Sequence, residues 1–513
     1  MNHCLLFSVP NRIIDRTSGI HRMATHLRGI GWDCEVIDFT EYWSLEELQQ
    51  LVDSRVTQNT KFVGFGHLVN RTRYNKTLII PLAQWIRKHY PDILLLSGGQ
   101  AQSVDSDHVD YHISGYAEYA IEALLKWKFS NGPQPTFGLL LNGRTKFINA
   151  QHNYPAFPMR EPLIIYEDRD FLVPGEWGKI EFSRGCKFNC KFCNFPVLGV
   201  TEDYTRSAES VRLQMMDAYD RFGIENYLIT DETFNDTTEK ITKFADVIET
   251  LPWKPYFAGF VRADLLISRQ QDRHELLRMG MLGHFYGVET FNADTSKYIG
   301  KGMRPDKMKA GLLAVKNFFK EHAGHRYRAN INLIAGLPHE TLESLESTRQ
   351  WIKDNWKDQV CGACPLEIGQ ADDPRASDLS KEYEKLGYEI VTNTKFAELP
   401  PAEYFTPGNA WQEEEILSMQ TNTLPPVAWK NQNMDIHQAW DWSQSIERLY
   451  KVGDYDLAKL EGYLLSQCLS DDNGIPLSLD KKLSLVGSTA RPYRLNFLKF
   501  IENYKTKKLN LSS

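Results

Sequence analysis

Three of the eight cysteines in this 513-residue chain fall inside one short stretch, Ser183-Arg184-Gly185-Cys186-Lys187-Phe188-Asn189-Cys190-Lys191-Phe192-Cys193-Asn194-Phe195-Pro196. The spacing is C-x3-C-x2-C, with aromatic residues between the thiols. Three thiolates on one loop can each hold one iron of a cubane iron–sulfur cluster, which leaves the fourth iron open to an outside ligand. A structural zinc site draws on paired C-x2-C groups and four ligands, and no fourth Cys or His lies close by in the sequence. A disulfide cannot pair three cysteines evenly, and the rest of the chain does not read as secreted. Cys186, Cys190 and Cys193 are therefore the expected cluster ligands.

Such a loop needs a rigid element beneath it. The chain opens with apolar runs at Cys4–Val9, Cys34–Phe39, Phe62–Phe65, Ile93–Leu96 and Tyr111–Ser114, separated by stretches of helical periodicity at Gly19–Arg28, Ser44–Val56 and Asn75–His89 and followed by Glu118–Trp127. Strand–helix alternation of this kind predicts an α/β domain with a Rossmann-like, doubly wound sheet over residues 1–150. A β-hairpin is expected over Thr136–Ala150, turning at Asn142-Gly143. The proline-dotted stretch 151–176 reads as a linker. From Trp177 the alternation resumes, with six strands expected at Lys179–Ser183, Asn226–Thr230, Tyr256–Phe260, His284–Val288, Arg328–Ile334 and Gln359–Pro365. This predicts a partial (β/α)6 TIM-type barrel over 177–366, in which chemistry sits at the C-terminal ends of strands. The cysteine loop leaves the end of the first. Beyond it, 367–513 is expected to be a mainly helical, aromatic-rich region on the substrate side.

Composition narrows the setting. Apolar residues at 42% and charged residues at 24% suit sizeable cores, and the formal charge is −7. The one short basic cluster, Lys505-Thr506-Lys507-Lys508, is too small to make nucleic acid an expected partner. No apolar run is long enough to span a bilayer, and the first ten residues lack the basic flank of a secretion signal. Scattered, unpaired cysteines fit a reducing cytoplasm.

With Phe192 just ahead of the third cysteine, the loop resembles the signature of the radical S-adenosylmethionine superfamily. The resemblance implies a [4Fe–4S] cluster whose open iron chelates S-adenosylmethionine. It also implies a reducing partner such as flavodoxin or ferredoxin, and cleavage of the cofactor to a 5′-deoxyadenosyl radical. Four further strand ends carry the likeness. Thr230-Asp231-Glu232-Thr233-Phe234 resembles the family's acidic turn, so Asp231 or Glu232 is expected to accept from the cofactor ammonium, with helix capping by Asp231 or Asn235 as the rival role. Val261-Arg262-Ala263-Asp264 implies an Arg262 fork on the cofactor carboxylate, the rival being an ion pair with Asp264. Gly287-Val288-Glu289-Thr290 implies that Glu289 accepts from the ribose hydroxyls. Asn330-Ile331-Asn332-Leu333-Ile334-Ala335-Gly336-Leu337-Pro338-His339-Glu340-Thr341 looks like the family's G-L-P-G-E-T turn, with Gly336 beside the adenine and Asn332 facing the lumen. Phe192 completes the expected cofactor contacts.

The first domain resembles the cobalamin-binding domain that precedes many such barrels, through Ser97-Gly98-Gly99 and Ser114-Gly115-Tyr116-Ala117-Glu118. One departure matters. In Asp15-Arg16-Thr17-Ser18-Gly19-Ile20-His21, Thr17 stands where the cobalt-ligating histidine belongs, and His21 falls later, inside the expected helix. Either cobalamin binds without a histidine ligand or the domain is a scaffold; the scaffold reading is preferred, because a fold does not fix a function.

The chain thus reads as a radical enzyme acting on a small-molecule or peptide substrate, for methylation or rearrangement. An RNA methylthiotransferase-like enzyme is the alternative within the class. It would need a terminal RNA-binding domain and a second set of cluster cysteines. A non-catalytic iron–sulfur sensor is the alternative outside it, and would not need cofactor-binding strand ends. Cys361-Gly362-Ala363-Cys364 lacks a second pair and reads as the end of strand six. Cys4, Cys34 and Cys468 read as buried residues.

Overall fold

The computed structural model describes residues 1–8, 16–66, 79–99, 108–135, 145–150, 162–172, 176–194, 204–368, 376–391, 428–449, 451–452, 455–456 and 490–511. Two compact units emerge: Met1–Pro174 together with Arg491–Ser513, and Gly175–Leu399 together with Gln412–Ala490.

The first unit is built on β1 (His3–Ser8), α1 (Ser18–Gly29), β2 (Asp33–Ile37), α2 (Leu45–Arg55), β3 (Thr60–Gly66), α3 (Ile79–His89), β4 (Leu94–Gly99), β5 (Tyr111–Ser114), α4 (Glu118–Phe129) and β6 (Lys146–Asn149). The strands lie in the order β2-β1-β3-β4-β5-β6 and pair in parallel throughout. Both faces of such a sheet are covered, so its strands run apolar without alternation; Cys4, Leu5, Leu6 and Phe7 are all buried. Local signals set the helix starts. Ser44 and Glu47 cap α2 reciprocally, which satisfies two backbone N–H groups that have no partner inside the helix. The order reverses between β1 and β3, so the crevice at their C-terminal ends is the place where this topology binds ligands.

The structure adds to one expectation and changes another. Lys146–Asn149 is a sixth strand of the sheet, parallel to and in register with Tyr111–Ser114; the rest of the expected hairpin, with its turn, lies in 136–144, outside the described residues. The chain's last helix, Ala490–Asn510, belongs to the first unit, not to a single C-terminal region over 367–513. Buried charge explains the docking. Glu35 sits inside β2 and is met by Arg55 at 3.0 Å and Lys508 at 3.2 Å. Arg55 also donates to the Lys508 carbonyl, and the Asp38 amide donates to Tyr504 Oη at 2.8 Å. A basic cluster that looks solvated in the sequence therefore buries two of its lysines, Lys505 and Lys508, because each meets an acid of this unit, Glu47 for Lys505 and Glu35 for Lys508.

The second unit contains β7 (Gly178–Ile180), α5 (Ala208–Phe222), β8 (Tyr227–Ile229), α6 (Thr238–Ile248), β9 (Phe257–Val261), α7 (Ala263–Ser268), α8 (Gln271–Met279), β10 (Met281–Glu289), α9 (Ala293–Tyr298), α10 (Pro305–Ala323), β11 (Arg328–Ala335), α11 (Leu342–Asn355) and β12 (Val360–Pro365). Its six strands are ordered β12-β11-β10-β9-β8-β7, all parallel. This is an open (β/α)6 arrangement in which each strand neighbours its successor. Helix ends follow from composition: Gly223 and Gly280 close α5 and α8 in left-handed geometry, and Thr341 caps α11. Short antiparallel pairing of Ser183-Arg184 with Tyr204-Thr205 frames the cysteine loop. In the region beyond the barrel Ile436–Arg448 is a helix; 392–427 and 457–489 lie outside the described residues.

Candidate functional site

The cysteine loop leaves β7, and successive strand ends grip it point by point. The β8 end holds its start: Glu232 accepts from the Gly185 amide at 3.1 Å, and Thr233 Oγ1 lies 3.3 Å from Cys186 Sγ. The β9 end holds its middle. Arg262 lies 3.8 Å above the Phe188 ring and reaches Cys190 Sγ at 3.7 Å. Next comes the segment after β10. The Ile299 carbonyl accepts from the Lys191 amide at 3.2 Å, and Lys301 Nζ stands 5.9 Å from the Phe192 ring. All three cysteines stand outside any disulfide and are partly exposed. Among the described residues no three His, Cys, Asp or Glu side chains converge as they would around one metal ion. A cubane places each thiolate on its own iron, so this donor set suits a cluster better than a single ion.

The acidic turn divides its labour. Asp231 points inward and accepts from the Phe182 amide at 2.7 Å, and from the Ser183 amide and hydroxyl at 2.9 Å each. Burial pushes its carboxyl up to about 8, with Lys240 pulling it down and Glu181 pushing it further up. Its acceptor sites are spent on the strand end that launches the loop. Lys240 Nζ, also buried, donates to Ser183 Oγ at 2.9 Å and to the Thr233 carbonyl at 3.1 Å, and pairs with Asp236. Sequence reasoning missed this lysine; its partner Asp236 lies four positions before it, just ahead of the α6 cap, Thr237.

Arg262 makes the ion pair with Asp264 that was the rival reading of it. Its fork is taken by Asp264, Nε to Oδ1 at 3.1 Å and an Nη to Oδ2 at 2.7 Å, and the remaining Nη faces Cys190. Glu289 has a left-handed backbone at φ 68° and folds its carboxylate over Gly287, where a Cβ would come within 2.6 Å of it. Lys301 lies 3.3 Å from that carboxylate and donates to the Gly287 carbonyl at 2.7 Å. Glu289, Lys301 and Phe192 thus form one patch at the barrel mouth.

Asn332 and Gly336 stand apart from the loop. Register places Asn332 between Gly287 and Gly362, a row where the flanking strands carry no side chain. Gly336, at φ +89°, backs onto Trp429: an added Cβ would lie 2.2 Å from its indole. That glycine makes room for a tryptophan from the C-terminal region, which the sequence could not pair with it. Beside it, Glu340 accepts from the Gly336 and Leu337 amides at 2.9 and 3.2 Å and from Thr290 at 2.6 Å. Burial raises this carboxyl to about 7. Cys361 and Cys364 sit three apart on β12, so alternation sends them to opposite faces; one is buried and the other exposed.

In the first unit, Gly99 and Gly115 adopt positive φ after β4 and β5, as turns that approach a nucleotide tail require. The loop after β1 offers no imidazole to a cobalt. Thr17 Oγ1 is hydrogen-bonded to Ser8 Oγ at 2.9 Å. His21 is buried, its Nε2 3.0 Å from Asp38, which also binds Arg16 at 2.6 Å. Histidine-ligated cobalamin does not fit these residues.

A parallel β/α partial barrel with three clustered cysteines at its first strand end, gripped by polar groups from the next three, defines an iron–sulfur barrel enzyme. Residues 180–352 match the family model described as the Radical SAM superfamily. Superfamily members act on a substrate and draw electrons from a reductant. Among curated proteins, an uncharacterised methyltransferase of Pyrococcus horikoshii is 23% identical over 177 residues, 34% of this chain; the match spans 37% of that relative's length. Among solved structures, the radical S-adenosylmethionine methyltransferase TsrM from Kitasatospora setae, with tryptophan substrate and a cofactor analogue bound, matches with a TM-score of 0.62 at 15% identity, covering 79% of this chain and 82% of that one. The cobalamin-dependent radical enzyme OxsB, with aqua-cobalamin and S-adenosylmethionine bound, matches with a TM-score of 0.52 at 16% identity, covering 75% of this chain and 55% of that one. At these identities the likeness establishes the fold alone. Among the described residues no helix is long and apolar enough to cross a membrane.

Proposed function

We propose that this chain binds a [4Fe–4S] cluster through Cys186, Cys190 and Cys193 and uses S-adenosylmethionine to functionalise a small-molecule or peptide substrate, with methylation the leading outcome. The observation that carries the reading is the loop itself, launched by β7 and held by groups from β8, β9 and the segment after β10. When bound, the cluster and S-adenosylmethionine supply a 5′-deoxyadenosyl radical that takes a hydrogen atom from the substrate. The protein's part is placement. Glu232 and Thr233 anchor the loop start, Arg262 stacks on Phe188 beneath its middle, and Glu289 offers an acceptor pair to ribose hydroxyls with Lys301 fixing its position. Asn332, between two glycines, has space beside it for substrate or cofactor. Phe192 covers the mouth. Electrons come from a low-potential donor of the flavodoxin or ferredoxin kind, in a reducing cytoplasm.

The first unit serves as a scaffold, or holds cobalamin without a protein ligand to cobalt. TsrM and OxsB carry cobalamin, which keeps the second possibility worth testing. Equilibrium dialysis with hydroxocobalamin separates the two: saturable one-to-one binding rejects the scaffold.

The main test is anaerobic reconstitution followed by product analysis. Under a strong reductant the protein should release 5′-deoxyadenosine from S-adenosylmethionine, and the Cys186/Cys190/Cys193→Ala variant should not. Equal yields from both proteins would reject the assignment.

A further inference from the structure

Two of the three loop cysteines already have a polar group from elsewhere in the barrel within reach of their sulfur. Thr233 Oγ1 stands 3.3 Å from Cys186 Sγ, and an Arg262 Nη stands 3.7 Å from Cys190 Sγ. Neither group is loosely held. Thr233 lies on the turn that Lys240 grips through the Thr233 carbonyl at 3.1 Å. Arg262 is locked on three sides: its fork by Asp264, its flat face by the Phe188 ring at 3.8 Å, and its backbone by Asn235, whose amide group both accepts from the Arg262 N–H at 2.8 Å and donates to its carbonyl at 3.0 Å.

The hydroxyl has two candidate acceptors, and their chemistry decides between them. Thr233 Oγ1 is also 2.8 Å from the Glu232 carbonyl. A thiol at Cys186 can donate to Oγ1 and leave the hydroxyl proton on that carbonyl. A cluster-bound thiolate has no proton to give and is the stronger acceptor, because the bond is charge-assisted. Loading of the loop turns the hydroxyl toward sulfur.

We infer that Thr233 and Arg262 set the reduction potential of the cluster, through Cys186 and Cys190 respectively. The inference rests on the cluster reading above. The sign follows from charge: one-electron reduction adds a negative charge that spreads onto the sulfurs, and donors or cations at those sulfurs stabilise the reduced form more than the oxidised form. Both residues therefore raise the potential and ease the electron's entry. Arg262 has the larger effect, being a full charge in a partly buried position. This gives Arg262 a role that does not require it to leave Asp264 for a cofactor carboxylate.

The experiment is a redox titration of reconstituted protein without S-adenosylmethionine, followed by the electron paramagnetic resonance signal of the reduced cluster, with iron and sulfide counted in every sample. In Thr233→Val and Arg262→Met the potential should move negative. For Arg262→Met the ratio of reduced to oxidised cluster at a fixed poise should fall about tenfold, which is ~59 mV for a one-electron couple. Thr233→Ser should return the wild-type value, and Arg262→Lys should fall between wild type and Arg262→Met, keeping the charge but losing the fork and the stack. A wild-type potential in Thr233→Val or in Arg262→Met, at full iron content, would overturn the inference for that residue. If wild-type protein takes up no cluster, it is the cluster reading that fails.

Discussion

Each sheet carries a fully buried aspartate just past the end of a strand, Asp38 after β2 and Asp231 after β8, and the two are treated in opposite ways. Burial alone would raise the pKa of both. Around Asp38 the imidazole of His21 and the guanidinium of Arg16 override burial and hold the carboxyl well below the usual range. Around Asp231 burial wins and the carboxyl rises to about 8, although Lys240 and three hydrogen-bond donors oppose it. Glu340 repeats the second pattern at the end of β11, rising to about 7. The first unit thus uses its acid as a charge that staples α1 to the sheet. The barrel uses its acids as acceptors for backbone N–H groups at strand ends, where a cofactor site needs rigid loops and little added charge.

The comparison predicts a ranked set of effects. Asp38→Asn leaves Arg16 and His21 buried without their counter-charge and should cost about 3–5 kcal/mol, read as lost hydrogen-exchange protection in the first unit. Asp231→Asn keeps shape but turns a donor toward a donor, and should cost about 1–3 kcal/mol in the barrel. Equal costs for the two would break the contrast. Gly336→Ala, which drives a Cβ into Trp429, should likewise cost about 1–3 kcal/mol, visible as a drop in thermal midpoint.

The pH response should separate the units by sign. Asp38 has a depressed value, so its stabilisation is present above its unfolded value near 3.8 and is lost as pH falls through the lower folded value. Asp231 and Glu340 have raised values. Their contribution is full below their unfolded values of 3.8 and 4.5, and is lost as pH rises through about 8 and about 7. Exchange protection measured unit by unit between pH 3 and 9 should show the first unit loosening at the acid end and the barrel loosening at the alkaline end. The smallest effect belongs to Arg278→Ala. This arginine meets Asp246, Glu249 and Glu275 on the surface, and the loss should stay under about 1 kcal/mol. Burial, and not the number of partners, sets the size.

Much of this was legible beforehand. Parallel strands buried on both faces read as continuous apolar runs, so all six barrel strands and five of the first unit's strands appear within a few residues of where periodicity puts them. The three proposed ligands were legible because a cluster demands cysteines at close spacing, and spacing is what a sequence records. The C-terminal helix was not, because its docking depends on Glu35 and Asp38, more than 450 positions away. The sixth strand's place in the sheet was not legible, because it depends on long-range pairing with Tyr111–Ser114.

By itself, then, the sequence determined what kind of chemistry the loop at Cys186–Cys193 supports and that strand ends would surround it. Tertiary structure decided what each surrounding group does. Asp231 turned from candidate cofactor ligand to anchor of a strand end, Arg262 was claimed by Asp264 and aimed at Cys190, and Gly336 became the seat of Trp429. The reason is physical. Metal ligation is a property of residue type and local spacing, whereas the role of a carboxylate, a guanidinium or a missing side chain is set by whatever the fold brings within about 3–4 Å of it.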